Sequence, residues 1–305
     1  MLDFSSFIIH ISSFIFQRLT FILMKIINFL LYGNFFIALC AYSQTVQTCR
    51  FLGDDNISQS VLPIFVAAAT FFLYNIHKPI TFFLKKQLLD NQRFLKTKSF
   101  STPLSILTIL AGLFCLYFFF NIKTATQLSL LVAAFFSLAY VLPVFRGKRL
   151  RDLPFVKIFT IAFVWAFVTV ILPVQEYGNI LDSYVKLMFL ERVLFVFSLT
   201  IPFDIRDIDV DIQTNVKTIP LSIGVQKAKY LGILALIGCV FIVFVLNMQG
   251  VYSFKNTIAL LLTYIISILV VGFTRKSRSD YYYYGLTDGM MLLQGLFFFL
   301  LTVIL

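Results

Sequence analysis

Apolar runs of about 20 residues, the length needed to cross a hydrocarbon layer, recur along this chain with only short polar connections between them. No soluble core in a 305-residue chain could hide them all, since 60% of its residues are hydrophobic and only 13% are charged. Apolar periodicity and helix breakers together predict spans near 26–46, 60–77, 102–120, 126–145, 154–174, 184–203, 229–248, 256–274 and 286–305. The expected class is therefore an all-α, polytopic membrane protein with nine transmembrane helices.

The net charge of +11 does not mark a nucleic-acid surface, because the basic residues fall in short loops rather than on one face. They report orientation instead. Most Lys and Arg lie before the first span and in the even loops, at Lys78 to Lys98, Arg146 to Lys157, Arg206 to Lys229 and Arg275 to Arg278. Arg50, Lys123, Lys186, Arg192 and Lys255 are spread over the opposite loops. The positive-inside rule then places the N-terminus in the cytoplasm, with the cytoplasmic (plasma) membrane as the expected location.

Residues 1–25 read as a separate amphipathic segment before a 26–305 membrane domain. Ser5, Ser6, His10, Ser12, Ser13 and Gln17 fall on one arc of a helix, and Phe4, Phe7, Ile8, Ile11, Phe14 and Ile15 lie mostly on the other. This is the pattern of an interfacial helix. A cleaved signal peptide fits less well, because Asp3 and no basic residue precede the apolar part. Cys40, Cys49, Cys115 and Cys239 show no paired spacing, and the two histidines, His10 and His77, are too far apart for a metal site. No phosphate-binding glycine loop, dinucleotide turn or nucleophile elbow is present.

Chemistry concentrates where four of the fourteen acidic residues, Asp204, Asp207, Asp209 and Asp211, close an apolar run. Carboxylates at a membrane helix end are costly and are seldom there without a cation, a proton or a partner. On a helix Asp204, Asp207 and Asp211 share a narrow arc and converge on one spot, whereas Asp209 points away. Crowded carboxylates suit Mg²⁺, which shares its shell with a substrate phosphate. A solvated acidic loop paired with Arg206, Lys217 and nearby lysines is the competing reading.

The run Asp204-Ile-Arg-Asp207-Ile-Asp-Val-Asp211, followed by Val216-Lys217-Thr218-Ile219-Pro220-Leu221-Ser-Ile-Gly224, resembles the second aspartate motif of the UbiA-type intramembrane prenyltransferases. A weaker match is Tyr140-Val-Leu-Pro143 followed by Lys148-Arg149-Leu-Arg151 and Pro154. The resemblance covers about residues 25–305. It implies a bundle with a central apolar cavity opening near the cytoplasmic side, and Mg²⁺-assisted transfer of a prenyl group from an isoprenoid diphosphate to a lipophilic acceptor held in the lipid. It makes Asp207 and Asp211 the catalytic metal ligands with Asp204 in support. Asn75, Lys78, Tyr140, Arg149, Arg151, Arg206 and Lys217 become the substrate-binding candidates.

The family's first motif, Asn-Asp-x-x-Asp-x-x-x-Asp, is incomplete. At the end of the second span the chain reads Asn75-Ile76-His77-Lys78-Pro79-Ile80-Thr81-Phe82-Phe83, with Ile76, Pro79 and Phe83 in place of the three aspartates. A two-metal site built from both motifs therefore cannot form in the usual way, and Lys78 or His77 can stand in for one metal's charge. A non-catalytic diphosphate-binding or accessory protein on the same scaffold is the second reading. A cation- or proton-coupled transporter is the third.

Overall fold

The protein was described as a computed structural model, covering residues 4–52, 61–84, 101–144, 147, 149–178 and 183–301; for 4–12 and 77–84 it gives the backbone path alone. Every regular element among the described residues is helical, as expected where lipid cannot satisfy the backbone N–H and C=O groups and each segment must bond them internally. The helices are α1 (Phe4–Tyr32), α2 (Phe35–Phe51), α3 (Leu62–Leu84), α4 (Ser101–Phe119) and α5 (Thr124–Val141). Then come α6 (Val156–Tyr177, with a π turn at Phe167–Ile171), α7 (Ser183–Arg206) and the short α8 (Ile208–Gln213) and α9 (Ile219–Ile223). The chain closes with α10 (Val225–Met248), α11 (Phe254–Gly272), a second π turn (Tyr282–Thr287) and α12 (Gly289–Phe299).

Six of these helices contain stretches long and apolar enough to cross a membrane: Ser13–Tyr32, Ser101–Phe119, Thr124–Val141, Val156–Tyr177, Val225–Met248 and Phe254–Gly272. Lipid-facing character shows on their outer surfaces, where Phe16, Phe241, Met248 and Phe254 are each at least 70% exposed. Other expected spans are shorter or more polar than these among the described residues. In α2 the 17 residues include Ser43, Gln44, Thr45, Gln47 and Thr48. In α7, Glu191 and Arg192 interrupt the run, and within 286–305 the α-helix among the described residues is the 11-residue α12.

The expected first span, 26–46, is not one helix. The chain breaks at Gly33-Asn34, where Asn34 takes the left-handed conformation (φ 65°, ψ 17°) that asparagine tolerates better than most residues. Gly33 passes so close to the preceding turn that an added Cβ would lie 2.2 Å from the Phe29 carbonyl oxygen. Asn75 of α3 clasps this corner, accepting from Asn34 Nδ2 at 2.9 Å and donating to the Gly33 carbonyl at 3.1 Å. Residue 25 thus lies inside α1, which runs unbroken from Phe4 to Tyr32.

Around α7 the packing is close. It contacts α6 and α10; α10 packs on α11, α11 on α12, and α12 returns to α2, which packs on α3. Ala228, Gly232, Ala235 and Cys239 are buried on α10 at spacings of three and four residues, a small-residue seam that lets backbones approach. At Gly232 an added Cβ would sit 3.2 Å from Val271 on α11 and 3.5 Å from Ser198 on α7, so hydrogen is what fits there.

Between these helices lies a buried polar core that sequence reasoning overlooked. Arg192, treated there as a loop charge, is 2% exposed; it donates to Thr169 Oγ1 (3.2 Å), the Gln44 carbonyl (3.4 Å) and Gln47 Oε1 (3.2 Å). Its neighbour Glu191 approaches Arg192 Nε at 4.0 Å and accepts from the Tyr264 hydroxyl. Gln294 donates to Tyr264 at 3.2 Å and accepts from Gln44 at 2.7 Å. The π turn of α6 supplies Thr169, so α2, α6, α7, α11 and α12 are tied through one charge pair and its amides.

Candidate functional site

The acidic motif sits where α7 ends, and the way it ends decides how its carboxylates point. Helical geometry stops at Arg206; Asp207 (φ −91°, ψ 9°) is a hinge into the short α8, so Asp207 leaves the arc that a straight helix would give it. Asp204 and Asp211 turn instead to Lys157, at the start of α6, whose ammonium lies 2.7 Å from Asp204 Oδ1 and 3.7 Å from Asp211 Oδ2. Asp204 is 2% exposed, Asp211 7% and Lys157 8%. Among the described residues no three acidic or ligating groups come together as a metal cluster. The three-carboxylate convergence expected from spacing is thus replaced by a two-carboxylate site closed by an ammonium. Asp209 does point away, to an exposed ion pair with Lys276 at 2.6 Å.

Asp207 belongs to a second charge centre. Arg206 grips it through both oxygens, Nε at 2.8 Å and Nη2 at 3.1 Å, the bidentate geometry that a planar guanidinium favours. The guanidinium lies 4.9 Å from the Phe203 ring centroid, 5.1 Å from Tyr283 and 5.0 Å from Tyr284. The second π turn presents both tyrosines, and the cage holds the cation by cation–π attraction.

A basic rim approaches through the Leu150–Asp152 3-10 turn before α6. Arg149, 3% exposed, is bidentate to Asp152 at 2.7 and 2.8 Å, and Arg151 lies 5.4 Å from the Tyr140 ring centroid. The loop after α8 is fastened to this rim. The Phe155 N–H donates to the Lys217 carbonyl at 3.0 Å, with Phe155 in the left-handed region (φ 63°), an uncommon conformation for a bulky residue. This fastening carries Lys157 into register with Asp204 and Asp211.

Not every ligand-capable atom is used. Asp211 Oδ2, Arg206 Nη1, Arg149 Nη1 and Thr218 Oγ1 are buried and make no hydrogen bond. Buried polar atoms are ordinarily satisfied, so these four, on the motif and the loops that flank it, are groups with hydrogen-bonding capacity to spare. Burial pushes the Asp211 carboxyl up to about 6; Lys157 opposes that rise, and the nearby Asp204 and Asp207 charges add to it.

The other candidates divide. Asn75 spends its amide on the α1–α2 corner and on the Phe71 carbonyl (3.0 Å). The Lys217 side chain is exposed, while its carbonyl forms the fastening to Phe155. Lys78 lies on α3, but its side chain and that of His77 are outside the described residues. Lys157 was counted only as a topology charge, although a lysine just inside an apolar run after Pro154 is itself a signal of a buried partner.

No protein-family model matches the chain, and no curated protein matches it in sequence. Solved structures do match in shape. A UbiA homolog from Archaeoglobus fulgidus bound to GPP and Mg²⁺ superposes with a TM-score of 0.65 at 12% identity, over 90% of this chain and 99% of that one. The apo structure of a UbiA homolog from Aeropyrum pernix K1 gives 0.61 at 17% identity, over 86% and 95%. A structure of digeranylgeranylglyceryl phosphate synthase gives 0.58 at 15% identity, over 92% and 100%. This chain, an integral membrane protein, has the UbiA fold.

Proposed function

We propose that the chain is an intramembrane prenyltransferase, taking an isoprenoid diphosphate with Mg²⁺ at the end of α7 and passing the prenyl group to a lipophilic acceptor. What carries this reading is the buried carboxylate pair at the end of α7, Asp204 and Asp211 on either side of the Lys157 ammonium. Its fold match to a homolog bound to GPP and Mg²⁺ is the supporting likeness.

The carboxylates fit a single divalent ion better than two. Asp211 Oδ2 makes no hydrogen bond and has the Lys157 ammonium at 3.7 Å as its ionic partner, and Asp207, partly exposed, can exchange its contact with Arg206. Asp204 supports them from its pair with Lys157. When bound, Mg²⁺ supplies charge for the departing diphosphate. The protein's own cations do the rest. Arg206, held rigid by its aromatic cage, and Arg149, held by Asp152, present N–H groups to phosphate oxygens as the carbon–oxygen bond breaks, and Arg151 lies close by. Lys78, whose side chain lies outside the described residues, is the remaining candidate from the sequence for a phosphate contact. The prenyl group lies in the apolar bundle interior, where water cannot quench the cation. In this reading nine helices cross the membrane, and the N-terminus and the acidic motif face the cytoplasm.

Ile76, Pro79 and Phe83, standing where relatives of this fold are expected to have aspartates, favour a second reading in which the protein binds the diphosphate without turnover. One experiment separates the two. Purified protein is given prenyl diphosphates of several lengths, Mg²⁺ and a lipid extract as acceptor source. Release of inorganic pyrophosphate with prenyl label entering the lipid fraction supports transfer; binding without release supports the second reading; neither defeats both.

A further inference from the structure

We propose that the Lys157 ammonium occupies the cation position between Asp204 and Asp211 and excludes a divalent ion from that carboxylate pair until an anion draws the lysine away. The ammonium reaches Asp204 Oδ1 at 2.7 Å and stands 3.7 Å from Asp211 Oδ2, with all three residues at most 8% exposed. Its position is built in. Lys157 is the second residue of α6, and the preceding Phe155 is locked in a left-handed conformation and bonded to the Lys217 carbonyl across the site.

Charge balance explains the consequence. Asp204 and Asp211 carry two negative charges against the one positive charge of Lys157, and the Arg151 guanidinium also acts on Asp211, which leaves little negative charge for an incoming ion to neutralise. A bare divalent ion would have to displace a buried ammonium and shed its own water, and Mg²⁺ dehydrates reluctantly. A diphosphate changes the balance, because its oxygens give the ammonium a new partner and free the carboxylates. On the proposed diphosphate reading, on which this consequence rests, metal and diphosphate therefore enter together.

The test measures Mn²⁺ binding to purified full-length protein in detergent, from the loss of the free-ion paramagnetic resonance signal, without any diphosphate. Lys157→Met, close to lysine in length but uncharged, should bind Mn²⁺ about tenfold or more tightly than the unaltered protein, while Lys157→Arg, which keeps the charge, should remain weak. Equal affinity in the unaltered protein and a folded, monodisperse Lys157→Met overturns the proposal. Inorganic pyrophosphate, added to the unaltered protein, should tighten Mn²⁺ binding about tenfold or more beyond what it does in solution. Should Lys157→Met not fold, Lys157→Gln, also uncharged, takes its place under the same criterion. A gain in Lys157→Met with no pyrophosphate effect leaves the lysine's role standing and defeats the diphosphate reading.

Discussion

Replacing Arg192 with methionine tests whether the polar core of the bundle is a matched charge pair or merely a set of hydrogen bonds. The guanidinium, 2% exposed, gives up three contacts, to Thr169, the Gln44 carbonyl and Gln47. Interhelical hydrogen bonds in membranes are worth about 0.6 kcal/mol each, so those contacts alone predict a loss near 2 kcal/mol. The charge matters more. Glu191, also 2% exposed, would keep Tyr264 as a partner but lose its counter-charge, and breaking a buried pair from one side costs about 3–5 kcal/mol. Reversible unfolding in mixed micelles, followed by circular dichroism, measures the difference. The expected loss lies in the upper range, and Glu191→Gln combined with Arg192→Met should recover most of it, since no unpaired charge remains. A single variant within about 0.5 kcal/mol of the unaltered protein, or a double variant as unstable as the sum of the singles, refutes the pairing.

Other expectations follow from the same geometry. Asp207→Asn and Asp211→Asn should each weaken Mg²⁺-dependent diphosphate binding about tenfold or more, measured by filter binding, while Asp209→Asn, on the exposed Lys276 pair, should change it less than about twofold. In a protein cleared of its native cysteines, a cysteine at Gln213 should resist an impermeant thiol reagent in intact cells, and one at Asn121, exposed at the opposite end of the bundle, should label readily. Gly33→Ala, whose methyl would meet the Phe29 carbonyl, should cost about 1–3 kcal/mol in the same unfolding assay.

What could be read beforehand, and what could not, divides along the range of the interactions. Long apolar helices such as α4, α10 and α11 announce themselves by local composition, and the acidic motif by its spacing. The break at Gly33-Asn34 was also written locally, as a glycine and an asparagine inside an apolar run, but hydropathy outweighed it in the reading of 26–46 as one span. Asp207 leaving the arc depended on a backbone hinge that spacing does not encode. Lys157 signals a buried partner by its place in an apolar run but does not name it: Asp204 and Asp211 lie far along the chain, and only the packing of α6 on α7 brings them together. Glu191-Arg192 was legible as adjacent opposite charges inside a span, yet its amide and hydroxyl partners come from four other helices.

The central claim is that the end of α7 is a divalent-ion-dependent diphosphate site. Its most direct test is equilibrium binding of radiolabelled geranyl diphosphate to purified protein, with Mg²⁺ and with chelator. Saturable binding that requires Mg²⁺ and is lost in Asp211→Asn is the predicted result; no saturable binding, or binding indifferent to both Mg²⁺ and Asp211, contradicts it.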